Sequence, residues 1–211
     1  MKHISTSILI LLTLISCHEK PSKTTSAELN IFYEKTKRAT IELSLPKIEK
    51  GVDSLEIRLW SKVEVTNGGN VLEIRKINNK WTCSDYSYIE TQHIKRHEIS
   101  DDISFFTNFT IDTFWVKKIE PKTGWKDFFE KLQAKKAFEL PDQRTIKGWD
   151  NNVSDGISYL FEFSTKNNYR YFSYNCPDIY EKKFIECKRM TQILEIFNSE
   201  FGVFDNNGRC R

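Results

Sequence analysis

Residues 157–176, ISYLFEFSTKNNYRYFSYNC, constrain the fold more than any other stretch of this chain. An even-length turn within residues 165–168 sets Phe161 opposite Phe172 or Tyr174 on one face of a hairpin. Ile157, Tyr159 and Phe163 join that face, while Ser158, Glu162, Tyr171 and Ser173 take the other. Neighbouring strand residues point to opposite faces, so a slip of one position would break this segregation. The register is therefore well specified, and the aromatic face needs a covering layer.

Upstream, apolar residues recur with period two. Ile41, Leu43 and Leu45 alternate with polar residues from Thr40 to Pro46, which reads as a first strand. Leu55, Ile57 and Leu59 repeat the pattern with Glu56 and Arg58 between them, and Val63 and Val65 extend it. Asn67-Gly68-Gly69-Asn70 reads as a turn, because these residues tolerate positive φ. Two more strands follow over 71–77 and 81–89 around a turn at Asn78-Asn79, and residues 105–116 form another. Helical spacing is expected in a short segment at 27–37. It is clear after Pro121, where Trp125, Phe128, Phe129 and Leu132 share a stripe and Thr123 can cap the start. Met190, Ile193, Leu194, Phe197 and Phe201 mark a last helix over about 181–200, stopped by Gly202. The fold class is α+β: an antiparallel meander plus a C-terminal aromatic hairpin, with two main helices packed on the sheet.

Aromatic residues make up 13% of the chain against 8 Gly and 5 Pro, a balance that favours a sheet-rich folded body over a disordered stalk. The formal charge is only +3 with acidic residues interrupting most basic stretches, so a nucleic-acid track is not expected.

The N-terminal MKHISTSILILLTLISC has a cationic start, an apolar run and a small residue before a cysteine, the layout of a bacterial secretory signal. A membrane-spanning helix and a plain signal peptide are the alternatives. The apolar run is short for a hydrocarbon core of about 30 Å. Leu14-Ile15-Ser16-Cys17 resembles the lipobox of bacterial lipoproteins. The resemblance implies cleavage before Cys17, lipidation of that cysteine and attachment to the cell envelope, at the outer membrane, through an N-terminal acyl anchor. On this reading residues 1–16 are a signal peptide, 17–26 a lipidated tether and 27–211 one globular domain. SLEIRLW at 54–60, LPDQ at 140–143, DGISY at 155–159 and NYRYFSY at 168–174 resemble uncharacterised lipoproteins of Bacteroidetes-type bacteria. That resemblance implies compartment and fold and carries over no catalytic residue.

Sites of chemistry are sparse. His93 and His97 stand four apart beside Glu90 and Glu98, but ETQHIKRHEISDD lacks an apolar stripe and a full zinc ligand set, so it reads as a solvated segment. No Gly-x-Ser-x-Gly elbow occurs. Asp101, Asp102, Asp142, Asp150 and Asp155 fit turns better than an EF-hand. Asp53-Ser54-Leu55 resembles a short O-glycosylation sequon, with a strand start as the preferred reading. No catalytic residue, cofactor or metal is expected. Of the five tryptophans, Trp60, Trp81 and Trp115 fall in strands and Trp125 on a helix stripe. Trp149, in a polar loop, is the candidate ligand contact.

Once Cys17 is acylated, Cys83, Cys176, Cys187 and Cys210 remain, an even number in an exported chain. Three connectivities are open. The short interval from Cys176 to Cys187 favours a bridge there, which leaves Cys83 to Cys210. The expected function is non-enzymatic binding of an envelope protein or glycan. An envelope hydrolase and an immunity or inhibitor lipoprotein are the alternatives.

Overall fold

The computed structural model describes residues 30–93, 106–149, 156–204 and 210. Cys17, the signal and tether, His97, Asp101, Asp102, Asp150 and Asp155 lie outside the described residues. Six antiparallel strands form one sheet: β1 Leu55–Val63, β2 Gly68–Ile77, β3 Lys80–Gln92, β4 Phe109–Ile119, β5 Ile157–Thr165 and β6 Asn168–Asn175, in the order β4-β3-β2-β1-β5-β6. The meander runs β1 to β4, and the aromatic hairpin adds β5 to the free side of β1. Within the hairpin Phe161 pairs with Phe172 and Tyr159 with Tyr174, the expected register. The helices are α1 Ile31–Glu42, α2 Trp125–Ala134, the single turn α3 Pro177–Tyr180 and α4 Ile185–Phe201. The fold is α+β, with helices packed on an antiparallel sheet. Among the described residues no helix is long and apolar enough to cross a membrane.

One sheet face carries Ile57, Leu59, Leu72, Ile74, Phe161 and Phe172, and α2 and α4 bury it with Phe128, Leu132, Met190, Ile193 and Phe197. Gly202 ends α4 in the left-handed region at φ 67°. Thr123 does not cap α2, whose N-cap is Gly124. Its backbone N–H and hydroxyl both bond Glu200 of α4 instead, tying the two helices together. The outer edge of β6 is covered by the LPDQ loop: Asp142 accepts from the Ser173 N–H at 3.0 Å, and Gln143 from the Asn175 N–H at 2.6 Å. Among the described residues no strand lies beside the outer edge of β4, and Phe114, Trp115 and Val116 are exposed there.

Two local expectations are corrected. The Thr40–Leu45 alternation is not a strand. Thr40, Ile41 and Glu42 close α1, whose N-cap Asn30 accepts from the Tyr33 N–H at 3.0 Å, and Ser44 turns the chain at φ 53°. Three alternating apolar residues also fit the end of a helix followed by a loop that inserts Leu43 and Leu45 into a core. Gly68, Gly69 and Asn70 are likewise not a turn but the start of β2, the chain having reversed at residues 64–67. Gly69 is needed for packing, because a Cβ there would lie 2.4 Å from the ring of buried Tyr88. Gly69→Ala should therefore displace Tyr88 and cost about 1–3 kcal/mol. Urea denaturation reads the effect, and an unchanged midpoint would show that the ring steps aside freely.

The opposite sheet face is covered by α1 and the loop after it, and it is charged as well as apolar. Ala39, Leu43 and Leu45 pack on Trp60, Val71, Tyr88 and Leu160. Tyr33 stacks on Tyr171 with centroids 3.9 Å apart, and Arg38 Nε donates to the Phe109 carbonyl at 3.2 Å. Beside this patch Arg58 is only 1% exposed. Its Nε donates to Glu56 at 2.8 Å and its Nη2 to the Pro46 carbonyl at 2.6 Å. Its cross-strand partners are Glu73 on β2 and Glu162 on β5. Burial pushes the Glu56 carboxyl up to about 7 even with Arg58 beside it, and raises that of Glu162 as well. A second buried pair, Lys62 with Glu90 at 2.6 Å, continues the layer.

The disulfide pairing is also corrected. Cys176 bonds Cys210, with Cα atoms 5.5 Å apart, while Cys83 and Cys187 are buried free thiols. Cys187 sits on α4 within the apolar cluster, whereas Cys176 lies outside that cluster, in the left-handed residue that leads from β6 into α3. Cys83 is out of reach of Cys210. Through the pairs Cys83–Ile74, Ile74–Ile57 and Ile57–Phe163 it aligns with Phe163 on β5. The Cys210 sulfur accepts from the N–H of Ile157, about 20 Å away along the same strand. Sequence spacing measured neither separation.

Candidate functional site

At the end of the helix-covered face, near the β1–β2 reversal, the strands bring five residues into one transverse row. The register runs Tyr159 (β5), Ser61 (β1), Asn70 (β2), Ser87 (β3), Trp115 (β4). Four strand spacings make the row about 19 Å long. Tyr159 and Ser61 are buried, Asn70 and Ser87 half-buried, and Trp115 is 57% exposed. The floor therefore opens from a closed end toward the β4 edge. The Asn70 amide donates to the Ser87 hydroxyl at 2.7 Å, which orients both side chains across the strands.

Asp85 stands in the neighbouring row, opposite Lys117. Its Oδ1 is buried without a protein hydrogen-bond partner, and burial raises its pKa while Lys117 pulls the other way. A buried acceptor without a donor is costly, and a donor that reached it from the groove would recover that cost. Tyr159, Ser61, Asn70 and Ser87 of the row line a groove of about 480 Å³ together with Asp85, the one acid among its described lining residues. Trp115 follows Ser87 in register, outside that lining. Gly202, Val203 and Phe204 form one wall, with Phe204 edge-on to Tyr159 at 5.6 Å. The Cys176–Cys210 bridge fixes the chain beyond this wall, since both sulfurs accept from the N–H of Ile157, itself a lining residue.

The sequence candidates lie elsewhere. Trp149, the candidate ligand contact, is half-buried against Tyr180 and Phe184, with centroids at 4.7 and 5.6 Å, and closes a core edge. Trp60 is buried and donates from Nε1 to Glu162 at 2.6 Å, and Trp81 stacks on Trp125 at 5.3 Å. Trp115 is the tryptophan left open. The available signal was that the β4 sequence carries lysine and apolar residues on both alternating sets, the pattern of a strand exposed on both faces. His93 is exposed and shares a 3.0 Å hydrogen bond with Thr110. Among the described residues no three His, Cys, Asp or Glu side chains gather to hold a metal. Asp53 and Ser54 lead into β1, which begins at Leu55. Burial raises the Cys83 thiol and pushes the Cys187 thiol up to about 12, the behaviour of core cysteines. Compared with protein-family models, curated proteins and solved structures, the chain matches none.

Proposed function

We propose that this chain is a lipid-anchored cell-envelope protein whose folded domain works by binding, with the open sheet groove as its contact surface. The anchor reading rests on the lipobox-like Leu14-Ile15-Ser16-Cys17 and keeps the resemblance to Bacteroidetes-type lipoproteins. The binding reading rests on one observation: the polar row ends in an exposed tryptophan and runs beside a buried carboxylate oxygen that the protein leaves unpartnered. A hydrolytic centre of the glycosidase kind uses two carboxyl groups. Among the described lining residues Asp85 is the one carboxyl in the groove, while Glu56, Glu73 and Glu162 are gathered around Arg58 on the opposite face.

Two measurements test the reading. Labelled fatty acid should enter the wild-type protein and not Cys17→Ser, and equal labelling would remove the anchor. The domain without its signal and with Cys17→Ser should be retained on isolated envelopes, and Trp115→Ala with Asp85→Ala should release it. Equal retention of both forms would remove the groove as the contact surface.

A further inference from the structure

We infer that the groove takes a carbohydrate chain, an inference that rests on the binding reading above and names its ligand class. Trp115 offers a flat, exposed indole at the open end of the row. Sugar rings present faces of C–H groups that lie against such a surface, while their hydroxyls point outward in the ring plane and need partners of both kinds. The row and its neighbour supply those partners: hydroxyls at Ser61 and Ser87, an amide at Asn70 and the carboxylate of Asp85. The row is uncharged, and of the charged residues among the described groove lining Lys62 is paired with Glu90 at 2.6 Å and Asp85 faces Lys117 across the strand pair. This chemistry suits a neutral polyhydroxylated ligand better than a phosphate or an acidic peptide. A row about 19 Å long and open at its Trp115 end fits an extended chain laid across the strands, not a single compact molecule.

The groove is built from parts that hold their shape without the ligand. Asn70 and Ser87 are bonded to each other, and the strand register fixes the spacing between floor residues. Phe204 on Tyr159 sets the wall. Little ordering is then required on binding, which favours affinity from few contacts.

The test uses the domain lacking its signal and carrying Cys17→Ser, with isolated envelopes as the probe. One portion of envelopes is oxidised with periodate, which cleaves the carbon–carbon bond of vicinal diols, and another is digested with protease. Retention should survive protease and be lost after periodate. Trp115→Ala should weaken retention roughly tenfold and Trp115→Phe much less, with the near-ultraviolet circular dichroism and melting point of each variant close to wild type. Trp115 is exposed, so its replacement leaves the core intact. Retention that survives periodate but is lost on protease digestion, still weakened by Trp115→Ala, would overturn carbohydrate as the ligand and leave the groove as a protein-binding surface. Retention indifferent to Trp115 would overturn both.

Discussion

Arg58→Met should destabilise the protein by about 3–5 kcal/mol, the range for removing one member of a buried ion network. Arg58 is the cation at the centre of Glu56, Glu73 and Glu162, and all four side chains are buried. Methionine fills the stem volume but leaves Glu56 with Arg75 at 3.3 Å, Glu73 without its Arg58 ion pair and the Pro46 carbonyl without its donor, while Glu162 keeps its hydrogen bonds from Trp60 and Tyr169. The cost should depend on pH, with a sign set by Glu56. Its folded pKa of about 7 lies above the ordinary carboxylate value, so the folded state holds a proton that the unfolded chain releases first. Stability from this group is complete below the ordinary carboxylate range and is lost as pH rises to about 7. Arg58→Met removes the charge that favours ionisation and should steepen that loss. Replacing Glu56 and Glu73 by Gln in the same background should recover much of the stability. Urea denaturation between pH 5 and pH 8 measures all of this, and a loss under roughly 1 kcal/mol for Arg58→Met would show that water reaches the network.

Cys176→Ser with Cys210→Ser should cost about 2–4 kcal/mol, since the bridge closes a loop with a sequence separation of 34. The effect goes beyond chain entropy. Cys210 is held by the bridge and by its N–H to the Asp178 carboxylate at 3.3 Å, next to the groove wall at Gly202–Phe204. Envelope retention should therefore weaken along with stability. Alkylation of the unfolded, unreduced domain should label Cys83 and Cys187 and spare Cys176 and Cys210. Four labelled cysteines would overturn the pairing. A reducing agent should lower the wild-type midpoint and leave the double variant unmoved.

What the sequence by itself determined is what depends on near neighbours. The Phe161–Phe172 register follows from period-two segregation across a short turn. The reversal at Asn78-Asn79, with φ of 50° and 62°, follows from side chains that tolerate that backbone, and the stripe of α2 and the stop at Gly202 follow from helical spacing and the left-handed cap. Contacts between distant segments were decided only by the tertiary structure. Alternation states that a strand has two faces but not which of them another element covers. Glu56 and Arg58 alternate with the apolar positions of β1, and nothing in that alternation shows that α1 and its loop close over them. The same gap hid the site. Asn70, Ser87 and Trp115 come into line only through strand pairing, and Trp115 is open because β4 falls at the sheet edge, a consequence of strand order. The disulfide obeyed the same rule: a short interval in sequence favoured Cys187, but a bond forms where two Cα atoms come within reach, and the folded chain brings Cys210 to Cys176.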